Sequence, residues 1–174
     1  VVSTPVEIVK YMVKNTLEPL CKGKTPPEIL SLRIADIACG SGIFLEEAYQ
    51  YLVDFCTEWY KLNDKAHLLV VEEGVEKLPL VDKKAILTNC IYGVDIDIHA
   101  VEVSKFSLLL KLIENETEPS VMSSKPILPD LEENIKCGNS LVTDEDVEGL
   151  NITMEDLINI RHYDSQEIKR LDKF

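Results

Sequence analysis

The stretch IADIACGSGIFLEEA, residues 34–48, decides the fold because it joins a strand, a tight turn and a helix. Residues 32–38 are short and mostly apolar, which is typical of a buried strand. Residues 39–42, CGSG, place two glycines where the chain must turn, and residues 43–63 repeat apolar side chains at helical spacing. The stretch therefore predicts the opening unit of an α/β domain, with a glycine turn between strand and helix.

The alternation of strands and helices continues on both sides of this stretch. Apolar periodicity predicts helices at 6–17, 81–90 and 99–116, the last of them amphipathic, and strands at 90–96 and 134–141. A strand, helix, strand, helix, strand order is typical of a parallel sheet covered by helices. Ligands of such sheets bind at the carboxyl ends of the strands, where we expect residues 36–42, 95–97 and 138–141 to meet.

Turn-forming residues and a capping signal define the remaining segments. Thr4 is positioned to cap the first helix, and Pro5 suits its first helical position. Prolines and one glycine predict a loop at 19–28, and prolines and serines predict another at 117–134. Residues 64–79 give a mixed signal, for which we expect a broken helix.

The composition excludes several classes of function. With 31 acidic and 18 basic residues the formal net charge is −13, so we expect these residues alone to bind nucleic acid poorly. The five cysteines form no C-x-x-C pair and the three histidines show no ligand spacing, so no metal site is predicted. No apolar run is long enough for a membrane span, and the first residues lack the pattern of a secretory signal, so we expect a cytoplasmic protein with reduced thiols.

The glycine turn lacks what a dinucleotide requires. A dinucleotide site has a third glycine, for which this chain has Leu45, and an acid about 20 residues further on. Asp95 lies far beyond that distance. Asp36 stands just before the turn, where a carboxylate is unfavourable for a pyrophosphate but favourable for a cation.

S-adenosylmethionine meets these conditions better, because it has no phosphate and carries a sulfonium and an ammonium. Gly40 and Gly42 allow the backbone to approach its methionyl part closely. Asp36 is placed to interact with the ammonium, directly or through water. A strand, glycine turn and helix also occur for tight packing alone, so the turn by itself is weak evidence.

The ends of the next two predicted strands supply partners for the rest of the same ligand. Asp95 can accept both ribose hydroxyls, and Asn139 can bond the adenine amino group. Ile96 and Leu141 are apolar neighbours that can enclose the adenine ring. Three polar strand ends, each suited to one part of one ligand, favour a binding site over packing alone.

Four segments together resemble the adenine-N6-specific DNA methyltransferases of restriction-modification and phage-defence systems. They are STPVEIVKYMV at 3–13, ADIACGSGIFL at 35–45, YGVDIDIHAVEVSKFSLLL at 92–110 and IKCGNSL at 135–141. The second matches the family signature D-x-A-C-G-S-G-x-F-L, and the others follow in the family's order. The resemblance implies a Rossmann-like parallel sheet of the S-adenosylmethionine-dependent methyltransferase type, incomplete after about the third strand.

The resemblance also assigns site residues. It places Thr4, Pro5, Asp36, Ala38, Gly40, Ser41 and Gly42 around the methionyl end of the cofactor. It places Asp95 on the ribose, Ile96 against the adenine ring, and Asn139 and Ser140 on the adenine. No catalytic residue can be assigned, because the family's Asn/Asp-Pro-Pro-Tyr/Phe motif is absent and the one Pro-Pro pair, at 26–27, lies between Thr25 and Glu28.

Three regions follow from this comparison: an N-terminal cofactor-motif helix at 1–20, a cofactor-binding α/β core at 30–145, and an acidic loop and helix at 146–174. The chain begins at Val1 and ends within a charged run, so we expect an excised and inactive part of a longer enzyme that reaches DNA through its other parts. Two alternatives remain open. One is a methyltransferase acting on a protein glutamine or a small molecule, and the other is a scaffold without catalysis.

Overall fold

The computed structural model describes residues 4–72, 74–117, 126 and 128–142, which fall into two compact units divided after Asn139. The first unit contains, in chain order, α1 Val6–Cys21, α2 Pro26–Ile29, β1 Ile34–Asp36, α3 Ile43–Leu62, β2 Val70–Glu72, β3 Val75–Lys77, α4 Leu80–Cys90, β4 Ile91–Asp95, α5 Ile98–Ile113 and β5 Ile135–Cys137. A short 3₁₀ turn, Ala66–Leu68, precedes the β2–β3 pair.

The predicted parallel sheet is confirmed. β4 lies between β1 and β5 and runs parallel to both. Asp36 pairs with Gly93, and Asp95 pairs with Cys137, so the carboxyl ends of all three strands lie at one edge. Because β1 is followed by α3 and β4 by α5, that edge also holds the beginnings of these two helices.

Helices α3 and α5 cover the sheet and α1 packs along α3. The buried positions of α3 recur every three or four residues and include Leu45, Tyr49, Leu52 and Cys56. This spacing is the periodicity that predicted the helix, and its apolar side forms the centre of the core. The predicted helices at 6–17, 43–63, 81–90 and 99–116 are thus confirmed, with small shifts at their ends.

The loop predicted at 19–28 is wrong in two places. α1 continues through Pro19 to Cys21, since the buried Leu17 and Cys21 hold its last turns in the core. Pro26 and Pro27 then open α2, because the first helical positions need no amide donor. The Thr25 amide donates a 2.7 Å hydrogen bond to Glu28 Oε2, which closes a capping box.

The broken helix predicted at 64–79 is also wrong. β2 and β3 form an antiparallel hairpin in which Val70 pairs with Lys77 and Glu72 pairs with Val75. Gly74 adopts a left-handed conformation at the turn, with φ of +80°. The β-branched valines on both sides of this glycine favour strands, and that preference prevails over a weak helical pattern.

Some predictions lie outside the described residues. These include half of the loop predicted at 117–134 and the whole acidic region predicted at 146–174. In the part of the chain that the structure describes, no helix is both long and apolar enough to cross a membrane.

Candidate functional site

The glycine turn follows directly from the end of β1. Oδ1 of Asp36 accepts a 3.1 Å hydrogen bond from the Ala38 amide, which begins the turn. The Gly42 amide then donates to the Cys39 carbonyl at 2.8 Å. Gly40 and Gly42 have φ of +53° and +88°, a left-handed region that strains residues with a Cβ atom. The backbone of the turn therefore favours glycine at both positions.

The two glycines face different surroundings. A Cβ atom on Gly42 would lie 2.3 Å from Oγ of Ser104, a fully buried residue of α5. A Cβ atom on Gly40 would have no heavy atom within 4 Å. Gly42 is therefore needed for close packing of α5 beneath the turn, whereas Gly40 borders open space that a ligand can enter.

Asp95, the last residue of β4, is bonded to the turn. Its Oδ2 accepts a 2.7 Å hydrogen bond from the Gly40 amide, and its Oδ1 accepts one of 2.9 Å from the Asp97 amide. A carboxylate has about four lone-pair positions, so both oxygens can still accept from a ligand. The two backbone bonds fix the orientation of this carboxylate beside Gly40.

Two carboxylates make the turn electrostatically negative. The pKa of the Cys39 thiol is raised to about 11. Burial is the largest cause, and the negative charges of Asp36 and Asp95 contribute to the same rise. Both carboxylates thus act on one thiol in the middle of the turn. Such a site disfavours a phosphate and favours a cation, and the Cys39 thiol stays protonated at neutral pH.

The end of β5 joins the same edge. The Gly138 amide donates a 2.9 Å hydrogen bond to the Asp95 carbonyl, which brings the exposed Asn139 close to the end of β4. Ile96 follows Asp95 with 72% of its surface exposed. Ser140 and Leu141 belong to the second compact unit, so their part in the site stays a prediction.

The segment ahead of α1 differs from its prediction. Pro5 occupies the N-cap position rather than the first helical one, and its carbonyl accepts hydrogen bonds from the Ile8 and Val9 amides. The N-cap residue has no side-chain hydrogen bond, so the capping role predicted for Thr4 is wrong. Proline has no side-chain oxygen that could accept from these amides, so the acceptor at this end of the helix is the Pro5 backbone carbonyl.

The cofactor contacts predicted for the remaining site residues stay predictions. Ala38 and Ser41 are exposed within the turn. A groove of about 360 Å³ runs from Met12 on α1 to Asp36 at the end of β1. α1 therefore flanks the end of β1 through its middle turns, and the contacts predicted for Thr4 and Pro5 stay predictions.

Three residues support the site in ways that were not predicted. Asp97 caps α5, with its Oδ1 accepting a 2.9 Å bond from the His99 amide, and an Asp just before a helix is a recognisable signal. Asn134 donates to the carbonyls of Thr88 and Ile91 at 2.9 and 2.8 Å, which holds the start of β5 against β4. Ser104 gave no signal, because its contact with the turn depends on tertiary packing.

A second cavity, of about 530 Å³, lies between α3, the β2–β3 hairpin and the end of α5, and its lining includes no residue of the glycine turn. Its side chains are tied by ion pairs, among them Lys83 with Glu116 at 2.6 Å. Among the residues that the structure describes, no group of three or more His, Cys, Asp or Glu could hold a metal ion.

Comparisons with known proteins agree with the resemblance. The chain is 44% identical over 164 residues to the type II restriction enzyme and methyltransferase RM.Eco57I of Escherichia coli, covering 94% of this chain and 16% of that protein. It is 33% identical over 220 residues to RM.MjaORFECS2P, a predicted enzyme of the same description from Methanocaldococcus jannaschii, covering 98% of this chain and 18% of that protein. The chain thus spans less than a fifth of the length of these relatives. The sequence profile of the MmeI DNA-methyltransferase domain matches residues 20–154, and the chain belongs to that family.

Proposed function

We propose that these residues hold S-adenosylmethionine for a DNA methyltransferase of a restriction-modification system, and that the methylated atom is N6 of adenine. The family, and the relatives' description as restriction enzymes and methyltransferases, support methylation of DNA. The resemblance of the four sequence motifs supports the choice of adenine N6. The proposal places the reaction in the cytoplasm, with DNA as the partner of the longer protein.

The hydrogen bond between the Gly40 amide and Asp95 carries this proposal. It holds a carboxylate with spare acceptor positions beside Gly40, where a Cβ atom would meet no heavy atom within 4 Å. A ribose with two free hydroxyls fits that carboxylate, and a methionyl chain fits the open side of Gly40. The nearby Asp36 suits an ammonium. The residues present therefore fit the cofactor in charge and in donor and acceptor chemistry.

The proposed contribution of the chain is to bind and orient the methyl donor. When bound, S-adenosylmethionine supplies an electrophilic methyl group on a sulfonium, and the negative potential from Asp36 and Asp95 favours that cation. The Asn/Asp-Pro-Pro-Tyr/Phe motif that would hold a flipped adenine is absent from these residues. We therefore propose that the chain alone is inactive and that other parts of the longer protein bind the base.

The test uses the longer protein with methyl-labelled S-adenosylmethionine and duplex DNA. After digestion to nucleosides, chromatography with mass detection should place the label on N6-methyldeoxyadenosine. Label on cytosine would overturn the proposed specificity, and label on protein or a small molecule would favour the other enzyme classes. If neither label transfer nor heat of cofactor binding is observed at millimolar S-adenosylmethionine, a scaffold is favoured instead.

A further inference from the structure

Helix α5 has two apolar sides. One side is buried against the sheet and the neighbouring helices, and consists of Val101, Ser104, Leu108 and Leu112. The other side carries Val103, Phe106 and Leu110, which we call the outer stripe. These three side chains are 49%, 61% and 48% exposed, and their spacing of three and four residues puts them in one row along the helix.

The outer stripe departs from the amphipathic pattern predicted for this helix. A helix at the surface of a domain normally presents polar side chains to water, and a helix that is apolar all round is normally buried. A groove of about 370 Å³ borders the stripe at Leu110, and its lining is mixed, with two apolar residues, Leu110 and Ile113, and four polar or charged ones, Glu46, Ser107, Lys111 and Glu114. Helices pack with the side-chain ridges of one in the grooves of the other, so a row of apolar side chains beside a groove is a surface to which a second helix can pack.

The charges around the stripe favour a protein partner. Lys105 pairs with Glu102 at 3.1 Å and with Glu132 at 2.8 Å, and Lys111 pairs with Glu114 at 2.5 Å. The lysines that border the stripe are therefore neutralised by adjacent carboxylates. With a net charge of −13 on the chain, an anionic membrane surface or a nucleic acid would be repelled rather than attracted.

The size of the stripe favours a partner in the same polypeptide. Three half-exposed side chains offer a few hundred Å², whereas a stable dimer interface needs about 800 Å² from each partner. A covalently linked segment binds through a smaller surface, because the linkage raises its effective concentration. The relatives extend well beyond the aligned region, which covers only 16% and 18% of their lengths.

We infer that the outer stripe is the docking surface for an apolar helix that belongs to the same polypeptide and lies outside these 174 residues. Val103, Phe106 and Leu110 then pack against that helix, and the groove beside Leu110 receives one of its side chains. Helix α5 then contacts the rest of the longer protein on one side and the glycine turn on the other, where Ser104 lies against Gly42. It thus connects the proposed cofactor site to the docked helix.

The first experiment measures thiol labelling in the longer protein. Phe106→Cys and Leu110→Cys are reacted with a maleimide, and labelling is quantified for each peptide by mass spectrometry. Both should react at least about tenfold more slowly than Glu58→Cys, an exposed position on α3, and all three should react equally in denaturant. Equal rates for the three native variants would mean that the stripe is open to solvent and would overturn the inference.

The second experiment identifies what covers the stripe. Phe106 is replaced by the photoreactive analogue p-benzoylphenylalanine in a mixture of ¹⁴N- and ¹⁵N-labelled copies of the longer protein, which is then irradiated. The expected product joins position 106 to a peptide outside residues 1–174 of the same copy. A product between differently labelled copies would indicate a dimer instead. A product within residues 1–174 would show that the cover is local, and either result would overturn the inference.

Discussion

The amide of Gly40 donates a 2.7 Å hydrogen bond to Oδ2 of Asp95, which joins the turn after β1 to the end of β4 across 55 residues. Two motifs that are separate in the sequence thus form one structural unit. The bond connects the two proposed halves of the cofactor site, since Gly40 borders the space for the methionyl part and Asp95 that for the ribose. Asp95 is therefore expected to serve both the shape of the turn and the binding of the ligand.

Substitution of Asp95 should separate these two effects. Asp95→Asn keeps an oxygen that can accept from the Gly40 amide but removes the negative charge, whereas Asp95→Ala removes both. Because hydrogen bonds to charged groups contribute about 1.5–3 kcal/mol, we expect Asp95→Asn to weaken S-adenosylmethionine binding by about 10- to 100-fold. Asp95→Ala should weaken it further. Isothermal titration calorimetry gives both dissociation constants.

The control for Asp95→Asn is Asp54→Asn, which makes the same charge change on the exposed side of α3. It should leave the dissociation constant within about twofold, because a surface charge far from the ligand is screened by salt. If Asp54→Asn weakened binding as much as Asp95→Asn, net charge rather than a specific carboxylate would explain the affinity.

Alanine at Gly42 should mainly lower stability, whereas alanine at Gly40 should mainly weaken cofactor binding. Gly42→Ala places a Cβ atom 2.3 Å from Ser104 Oγ at a φ of +88°, so we expect a loss of roughly 2–5 kcal/mol in the free energy of unfolding. Gly40→Ala meets open space and should cost only about 1–2 kcal/mol of backbone strain. Its larger effect should be on cofactor binding, into whose space the new methyl group projects. Urea unfolding and calorimetry measure the two effects.

A double substitution tests the cause of the Gly42 effect. Ser104→Ala removes the hydroxyl that a Cβ atom on Gly42 would meet, so it should recover part of the stability lost in Gly42→Ala. Equal losses with and without Ser104→Ala would show that the hydroxyl is not the cause, which leaves the left-handed backbone and the Cβ and Cα atoms of residue 104, at 3.1 and 3.3 Å.

The sequence predicted the sheet and the glycine turn because their signals are local. Residues 34–48 contain the strand, the turn and the helical periodicity within one short stretch, and the structure retains all three. The meeting of the three strand ends was also predicted correctly, because parallel pairing brings the carboxyl ends of β1, β4 and β5 to one edge of the sheet.

The sequence missed features that depend on contacts between distant residues. Nothing in the pattern of α5 indicates that Ser104 lies against Gly42, so the sequence could not show which of the two glycines is needed for packing. The hairpin at 70–77 was missed because two strands of three residues each are shorter than a periodicity test can resolve. The outer stripe was missed for a related reason. The apolar residues on the buried side of α5 were enough to indicate an amphipathic helix, and the sequence does not show that the apolar residues on the opposite side are exposed.

Asn134 should be essential for the stability of the sheet. Its buried amide donates to the Thr88 and Ile91 carbonyls, so Asn134→Ala removes two hydrogen bonds and leaves two carbonyls without this donor. We expect a loss of roughly 2–4 kcal/mol in the free energy of unfolding, measured by urea denaturation. The matched control is Asn15→Ala on α1, where an exposed amide bonds the Tyr11 carbonyl and its loss should cost less than about 0.5 kcal/mol. Similar losses for both variants would contradict this role.

Stability should fall at alkaline pH because of buried thiols. Burial is the largest cause that raises the pKa of Cys39 and Cys90 to about 11 and of Cys56 to about 12, from an ordinary value near 9. Above pH 9 the unfolded chain loses these protons first, while the folded chain retains them until its own higher pKa is reached. The unfolded state is then favoured, by at most about 1.4 kcal/mol per pH unit for each thiol and by less where solvent screens the thiolate.

The stabilisation from these thiols is therefore fully present below about pH 9 and is lost as the pH rises towards 11 and 12. Urea unfolding at pH 8, 9, 10 and 10.5 should show a steady decrease in the free energy of unfolding above pH 9. Cys56→Ala removes one of the three groups, so its stability should decrease less steeply with pH than that of the unsubstituted chain, even though the cavity lowers its value at pH 8. Parallel pH profiles for the two proteins would show that ionisation of Cys56 is not coupled to unfolding.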